Sequence, residues 1–125
     1  MPIKTFLDLD IYKLSRQLAK EIFDVTLKFP AEEKYSLTDQ IRRSSRSVKA
    51  NIAEGWGKRI YINSFKKYLI DSNGSLEETK SWFISALDCN YISETEFNDF
   101  ITKAEIIGGK LWKLHDTWQD FEKKN

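Results

Sequence analysis

Arg42, Arg46 and Lys49 stand at i, i+4 and i+7, a spacing that sets three cations on one side of a helix. Lys58 and Arg59 follow just beyond the expected end of that helix, and Lys66 and Lys67 open the next. With Arg43, residues 40–67 hold eight cations against one carboxylate, Glu54, a local balance of +7 in a chain whose net charge is +1. Cations gathered without balancing carboxylates neutralise phosphates, in an association that weakens steeply with salt. Arg42, Arg43, Arg46, Lys49, Lys58, Arg59, Lys66 and Lys67 are therefore the candidate contacts to RNA or DNA. No base-reading motif accompanies them, so contact with the nucleic-acid backbone is expected. The competing readings are a solvated face and a surface that receives an acidic partner or a second protomer.

A polar stripe runs beside that cluster. Gln40, Ser44, Ser47, Asn51 and Glu54 recur at spacings of 4, 3, 4 and 3. Solvent faces usually carry long charged side chains, whereas small hydroxyl and amide groups suit close helix approach with directed hydrogen bonds. Gln40, Ser47, Asn51 and Glu54, with Gly55, Gly74, Ser75 and Glu78, form the candidate structural or interface set. Arg43 pairs with Glu54 or Glu78 wherever the fold brings them together.

Groups able to do covalent or proton-transfer chemistry are scarce. His115 is the single histidine and Cys89 the single cysteine. The Glu-x-x-His pairs of metal-holding bundles are missing. The stretch Gly55-Trp56-Gly57-Lys58 is too short for a phosphate-cradling loop and follows a helix instead of a strand. A non-enzymatic protein without metal or cofactor is expected.

The elements that position these residues are all helical. A chain of 125 residues, 41% hydrophobic and 31% charged, fits one globular domain over residues 1–125. The lone cysteine fits a reducing compartment, so a cytoplasmic location is expected. No apolar run reaches the length needed to cross a bilayer.

Ile11, Leu14, Leu18, Ile22, Val25 and Phe29 mark one helical face over residues 10–29, with Asp8 or Asp10 as cap and Pro30 as stop. Leu37, Ile41, Ser45, Val48 and Ile52 mark a second helix, 36–55. There Ser36 and Asp39 resemble a capping box, and Gly55 and Gly57 are expected to end the helix in left-handed conformations. Phe65, Tyr68, Leu69, Leu76, Phe83 and Leu87 give the third, 64–88, with Gly74 read as a close contact or bend. Ser93 and Glu96 cap the fourth, 94–122, whose inward stripe is Phe97, Ile101, Ala104, Gly108, Leu111, His115 and Trp118, widened by Ile107, Leu114 and Phe121. Short connections then predict an all-α, antiparallel up-down-up-down four-helix bundle.

Gln40-Ile41-Arg42-Arg43, Asn51-Ile52-Ala53-Glu54-Gly55 and Gly74-Ser75-Leu76-Glu77-Glu78 occur in order, preceded by Phe29-Pro30, Glu33, Tyr35 and Leu37. Together they resemble the four-helix bundle family first recognised in proteins encoded by intervening sequences of bacterial 23S ribosomal RNA genes. The resemblance covers residues 7–121. It implies a ring-shaped homopentamer. For a related branch, accessory proteins of diversity-generating retroelements, it implies association with a reverse transcriptase and nucleic acid. Ser44 and Ser45 stand where alanines are common in that family, and Lys49 where a proline is frequent.

Overall fold

The computed structural model describes the backbone of residues 2–124 and the side chains of residues 2–118. Among them are four long helices and no strand: α1 (Asp10–Thr26), α2 (Leu37–Gly57), α3 (Ile62–Asp88) and α4 (Glu94–Lys124). Single 3-10 turns at Phe6–Asp8 and Ala31–Glu33 precede α1 and α2.

Each helix exists because one of its faces is buried. Ile11, Leu18 and Ile22 of α1, Ile41, Val48 and Ile52 of α2, Phe65, Leu69, Leu76 and Phe83 of α3, and Phe100, Ile107, Leu111 and Trp118 of α4 share one core. Full burial of each such side chain contributes about 1.5–3 kcal/mol. Aromatic contacts close the core in two places. Phe83 stacks on Phe100 at 3.7 Å between ring centroids. Trp118 meets Phe65 at 4.4 Å and Trp56 at 6.1 Å. Leu14, Val25, Phe97, Ile101 and Leu114 are only partly buried and edge the core. Phe121, expected on the α4 stripe, lies outside the described side chains.

The helices contact one another in chain order, α1 to α2 to α3 to α4, and α1 meets α4. The α2/α3 seam is the most extensive and the α1/α4 seam the least. Across α2/α3 the register descends: Ser44 pairs with Thr79, Ser47 with Ser75, Val48 with Ser72, and Glu54 with Tyr68.

Several helix ends differ from the sequence reading. α1 stops at Thr26, because Leu27, Lys28 and Phe29 turn through bonds to carbonyls three residues back. Its N-cap is Leu9, without a side-chain bond. Asp8 instead accepts from Lys4 N and Thr5 N and closes a capping box on the preceding 3-10 turn.

Ser36 makes no cap bond to α2. Glu33 takes that role, accepting from Leu37 N at 3.3 Å and from the Ser36 hydroxyl. Gly55 and Gly57 both lie inside α2, and no described glycine has a positive φ.

α3 ends on Asn90, at φ 61°, with Asn90 N bonded to Leu87 O and Tyr91 N to Ala86 O. This is the two-bond left-handed termination that asparagine tolerates. Ser93 and Glu96 do form the reciprocal box that opens α4.

Candidate nucleic-acid interface

The site is built on α2, and α2 is placed by its polar stripe. Ser44 and Thr79 are wholly buried, and the Thr79 hydroxyl lies 2.8 Å from Ser44 Oγ. Ser75 Oγ donates to Ser47 Oγ at 2.9 Å, and Ser72 Oγ to the Val48 carbonyl at 2.7 Å. Asn51 Nδ2 donates to the Ser47 carbonyl and hydroxyl at 3.0 and 3.2 Å. Small side chains allow the two backbones to approach, and every hydroxyl named here has a partner, so burying them carries little penalty.

The approach is closest at Gly55. A Cβ there would sit 2.8 Å from Tyr68 Cβ and 3.3 Å from Phe65 Cδ1. Only glycine fits. Gly74 behaves differently: it is exposed, with nothing within 4 Å of where a Cβ would be, so it is neither a close contact nor a chain end. Gly108 faces α3 in that region, and a Cβ added there would meet Asn73 and Leu76 at 3.6 and 3.7 Å, ordinary packing distances.

With α2 pinned to α3 along one side, its cations face outward in two groups. The first surrounds an open hollow of about 530 Å³ at the start of α2, lined by Lys34, Tyr35, Thr38, Asp39, Arg42, Arg43 and Arg46. Arg42 is held toward α1: its Nε donates to Thr26 Oγ1 at 2.8 Å and its guanidinium lies 4.6 Å from the Phe23 ring. Arg43 is held toward α3, donating to Glu78 and, at 3.0 Å, to Gln40 Oε1. Glu78 also receives Trp82 Nε1 at 2.9 Å. Arg43 thus pairs with Glu78, not Glu54. Arg46 is exposed and makes no ion pair or hydrogen bond among the described residues, and the same holds for half-buried Lys49 and Lys66.

The second group gathers around Tyr68 and Trp56 at the other end of α2, where Lys58 stands about 24 Å beyond Arg42 at 1.5 Å per residue. Lys58 Nζ donates to Tyr68 Oη at 2.8 Å, and Tyr68 Oη donates to Glu54 at 2.7 Å. The bond to Tyr68 is the main reason that Lys58 is raised and Glu54 lowered from their ordinary pKa values. Lys67 pairs with Asp71 at 2.8 Å. Arg59 stacks on Trp56 at 3.9 Å and donates to its carbonyl. These three cations already have partners inside the chain.

Four residues of the first hollow, Lys34, Tyr35, Thr38 and Asp39, escaped the sequence reading as site residues. Lys34 lies outside the 40–67 charge window and joins the arginines through the bend before α2. Tyr35 stands beside it, 84% exposed. A cation next to an aromatic in a connection was the available signal.

Elsewhere the chemistry-bearing groups stand apart. His115 Nδ1 lies 2.9 Å from Asp116 Oδ1, and Cys89 is exposed at the end of α3. The described residues contain no group of three or more His, Cys, Asp or Glu side chains able to hold a metal ion. No described helix is long and apolar enough to cross a membrane. Three further hollows, of about 560, 340 and 140 Å³, line the α1/α4 seam.

Residues 7–113 match the profile of the family described as 23S rRNA-intervening sequence protein. The chain belongs to that family. A solved structure from Bacteroides thetaiotaomicron VPI-5482, described as a protein with unknown function from the S23 ribosomal protein family, has a TM-score of 0.73 and 19% identity. It covers 84% of this chain and 97% of that one. At such identity the likeness shows the fold alone. No curated protein matches the chain. The segment matching the 23S rRNA-intervening sequence family contains the whole α2/α3 seam and all eight candidate cations. Neither description names a catalysed reaction.

Proposed function

We propose that this chain is a non-enzymatic nucleic-acid-associated protein that binds the RNA or DNA backbone through the outward side of α2, with no metal or cofactor. Residues 1–125 act as one domain, an antiparallel up-down-up-down bundle that assembles as a ring-shaped homopentamer in the cytoplasm. The observation that carries the binding reading is the hollow lined by Lys34, Arg42, Arg43 and Arg46, in which Asp39 is the one carboxylate. Arg46, exposed and unpaired, is available to a phosphate without first breaking an internal bond. The family resemblance supports the ring.

The test is titration of labelled RNA, single-stranded DNA and duplex DNA at increasing salt. Log affinity is expected to fall linearly with log salt, by about 0.9 per phosphate neutralised on duplex and about 0.7 on single strands. Absence of binding at low salt overturns the reading. Light scattering that shows only monomer at roughly tens of micromolar overturns the ring.

A second reading has its own support. At the α2–α3 connection Ile60 and Tyr61 are 83% and 71% exposed while the cations Lys58, Arg59 and Lys67 are engaged internally. That end suits a protein partner, as in a scaffold or an accessory subunit of a reverse transcriptase. A pull-down compared with and without nuclease separates direct partners from nucleic-acid-bridged ones.

A further inference from the structure

We infer that the nucleic acid accepted at the α2 hollow is single-stranded, with a base stacked on Tyr35; this rests on the backbone-binding reading above and names its substrate class. Tyr35 is the most exposed large hydrophobic side chain among the described residues, and it stands between two open hollows. On one side lies the basic hollow of Lys34, Arg42, Arg43 and Arg46. On the other lies a hollow of about 470 Å³ lined by Gln40, Ser85 and the half-buried indole of Trp82. An aromatic ridge beside a cationic trough is the arrangement that holds single strands, because phosphates track the charge while unpaired bases present free π-faces to the ring. In a duplex both faces of each internal base are already stacked, so Tyr35 has nothing to add.

The ring is presented on a fixed connection. Glu33 holds that connection through the Ser36 hydroxyl, Leu37 N and Tyr91 Oη, while Lys34 N and Ser36 N bond back to the Ala31 and Glu33 carbonyls. Lys34 Nζ lies 5.3 Å from the Tyr35 centroid, which adds a cation to the stacking position. A platform held before the ligand arrives loses little freedom on binding.

The experiment compares three probes: an oligothymidylate of about a dozen nucleotides, an abasic oligonucleotide with the same number of phosphates, and a duplex. Tyr35→Ala is expected to weaken oligothymidylate binding about thirtyfold, the middle of the range for loss of one stacked base. It leaves the abasic strand and the duplex unchanged, and Tyr35→Phe restores wild-type affinity. If Tyr35→Ala binds oligothymidylate as wild type does, or weakens the abasic strand equally, the stacking inference is overturned while backbone binding stands. If no probe binds at low salt, the backbone reading fails and takes this inference with it.

Discussion

Tyr91 Oη donates to Glu33 Oε2 across 2.9 Å, joining the α1–α2 connection to the turn that follows α3. The same carboxylate receives the Ser36 hydroxyl and Leu37 N. One side chain therefore caps α2, bends the chain ahead of it and clamps two connections that are 58 residues apart.

This clamp makes stability fall at alkaline pH. Bonding to Glu33 pushes the Tyr91 phenol from its ordinary 10.0 up to about 12. A group whose folded value is raised contributes fully below its unfolded value and loses that contribution as pH climbs through the folded one. The decline is thus expected between about pH 10 and 12. Glu33, held below the usual carboxylate range first by Ser36 and then by Tyr91, adds a loss at the acid end as pH falls through its lowered value. Thermal melts across both ranges, with Tyr91→Phe as comparison, check this; an alkaline profile identical in the two proteins would contradict it.

Two glycines respond in opposite directions to alanine. Gly55→Ala places a methyl against Tyr68 Cβ, part of a side-chain stem that cannot swing away. Overpacking of this kind costs roughly 1–3 kcal/mol, against about 1 kcal/mol gained in helix propensity. Net destabilisation is expected. Gly74→Ala meets nothing and keeps the propensity gain, raising stability by up to about 1 kcal/mol. Urea melts of the two variants give the comparison, and equal shifts would disprove the close approach at Gly55.

Ser44 tolerates loss of its hydroxyl but not added volume. In Ser44→Ala the Thr79 hydroxyl keeps its 2.8 Å bond to the Ser75 carbonyl, so the cost stays near or below about 1 kcal/mol. Ser44→Leu forces a branched side chain into a site with no exposed surface and costs about 1–3 kcal/mol or more. Calorimetric melting temperatures distinguish the two, and a benign leucine would show that the seam is looser than described.

Among the cations, pairing predicts the hierarchy of effects on binding. Arg46→Gln removes an unpaired charge and is expected to lower the salt slope by about 1. Lys58→Gln removes a cation already committed to Tyr68 and Glu54, and changes the slope less. Salt titrations read both, and a larger effect at Lys58 would move the binding surface to the other end of α2.

The four helices could be read because their apolar spacing states which side of each helix faces inward. Ile11, Leu18 and Ile22, or Phe65, Leu69 and Leu76, need nothing but the helical period to be recognised. The partner of each side is a different kind of information. The period places Gln40, Ser44, Ser47, Asn51 and Glu54 on one stripe, yet not that α3 would cover it with Ser72, Ser75 and Thr79. Gly55 suggested termination because glycine's commonest use near a helix end is conformational, whereas here its value is the missing methyl opposite Tyr68. The Glu33 cap went unread because Ser36 holds the usual capping position, and no local pattern connects Glu33 to its further partner Tyr91. Lys34 and Tyr35 were missed for the same reason: a bend, not a helical repeat, brings them beside Arg42.

The unequal seams divide the molecule mechanically. α2 and α3 form a keel, zipped by interior hydroxyls and locked at one end by an absent side chain. α1 and α4 are moored to it on either flank, and between them lie three hollows where packing is thinnest. Thermal breathing should begin there, with α1 and α4 parting while the keel holds, so amide exchange would be slowest at the centre of α2 and α3. Arg43 and Arg46 ride on that keel, whereas Arg42 also reaches Thr26 and Phe23 of α1, so parting of α1 would loosen one edge of the basic hollow.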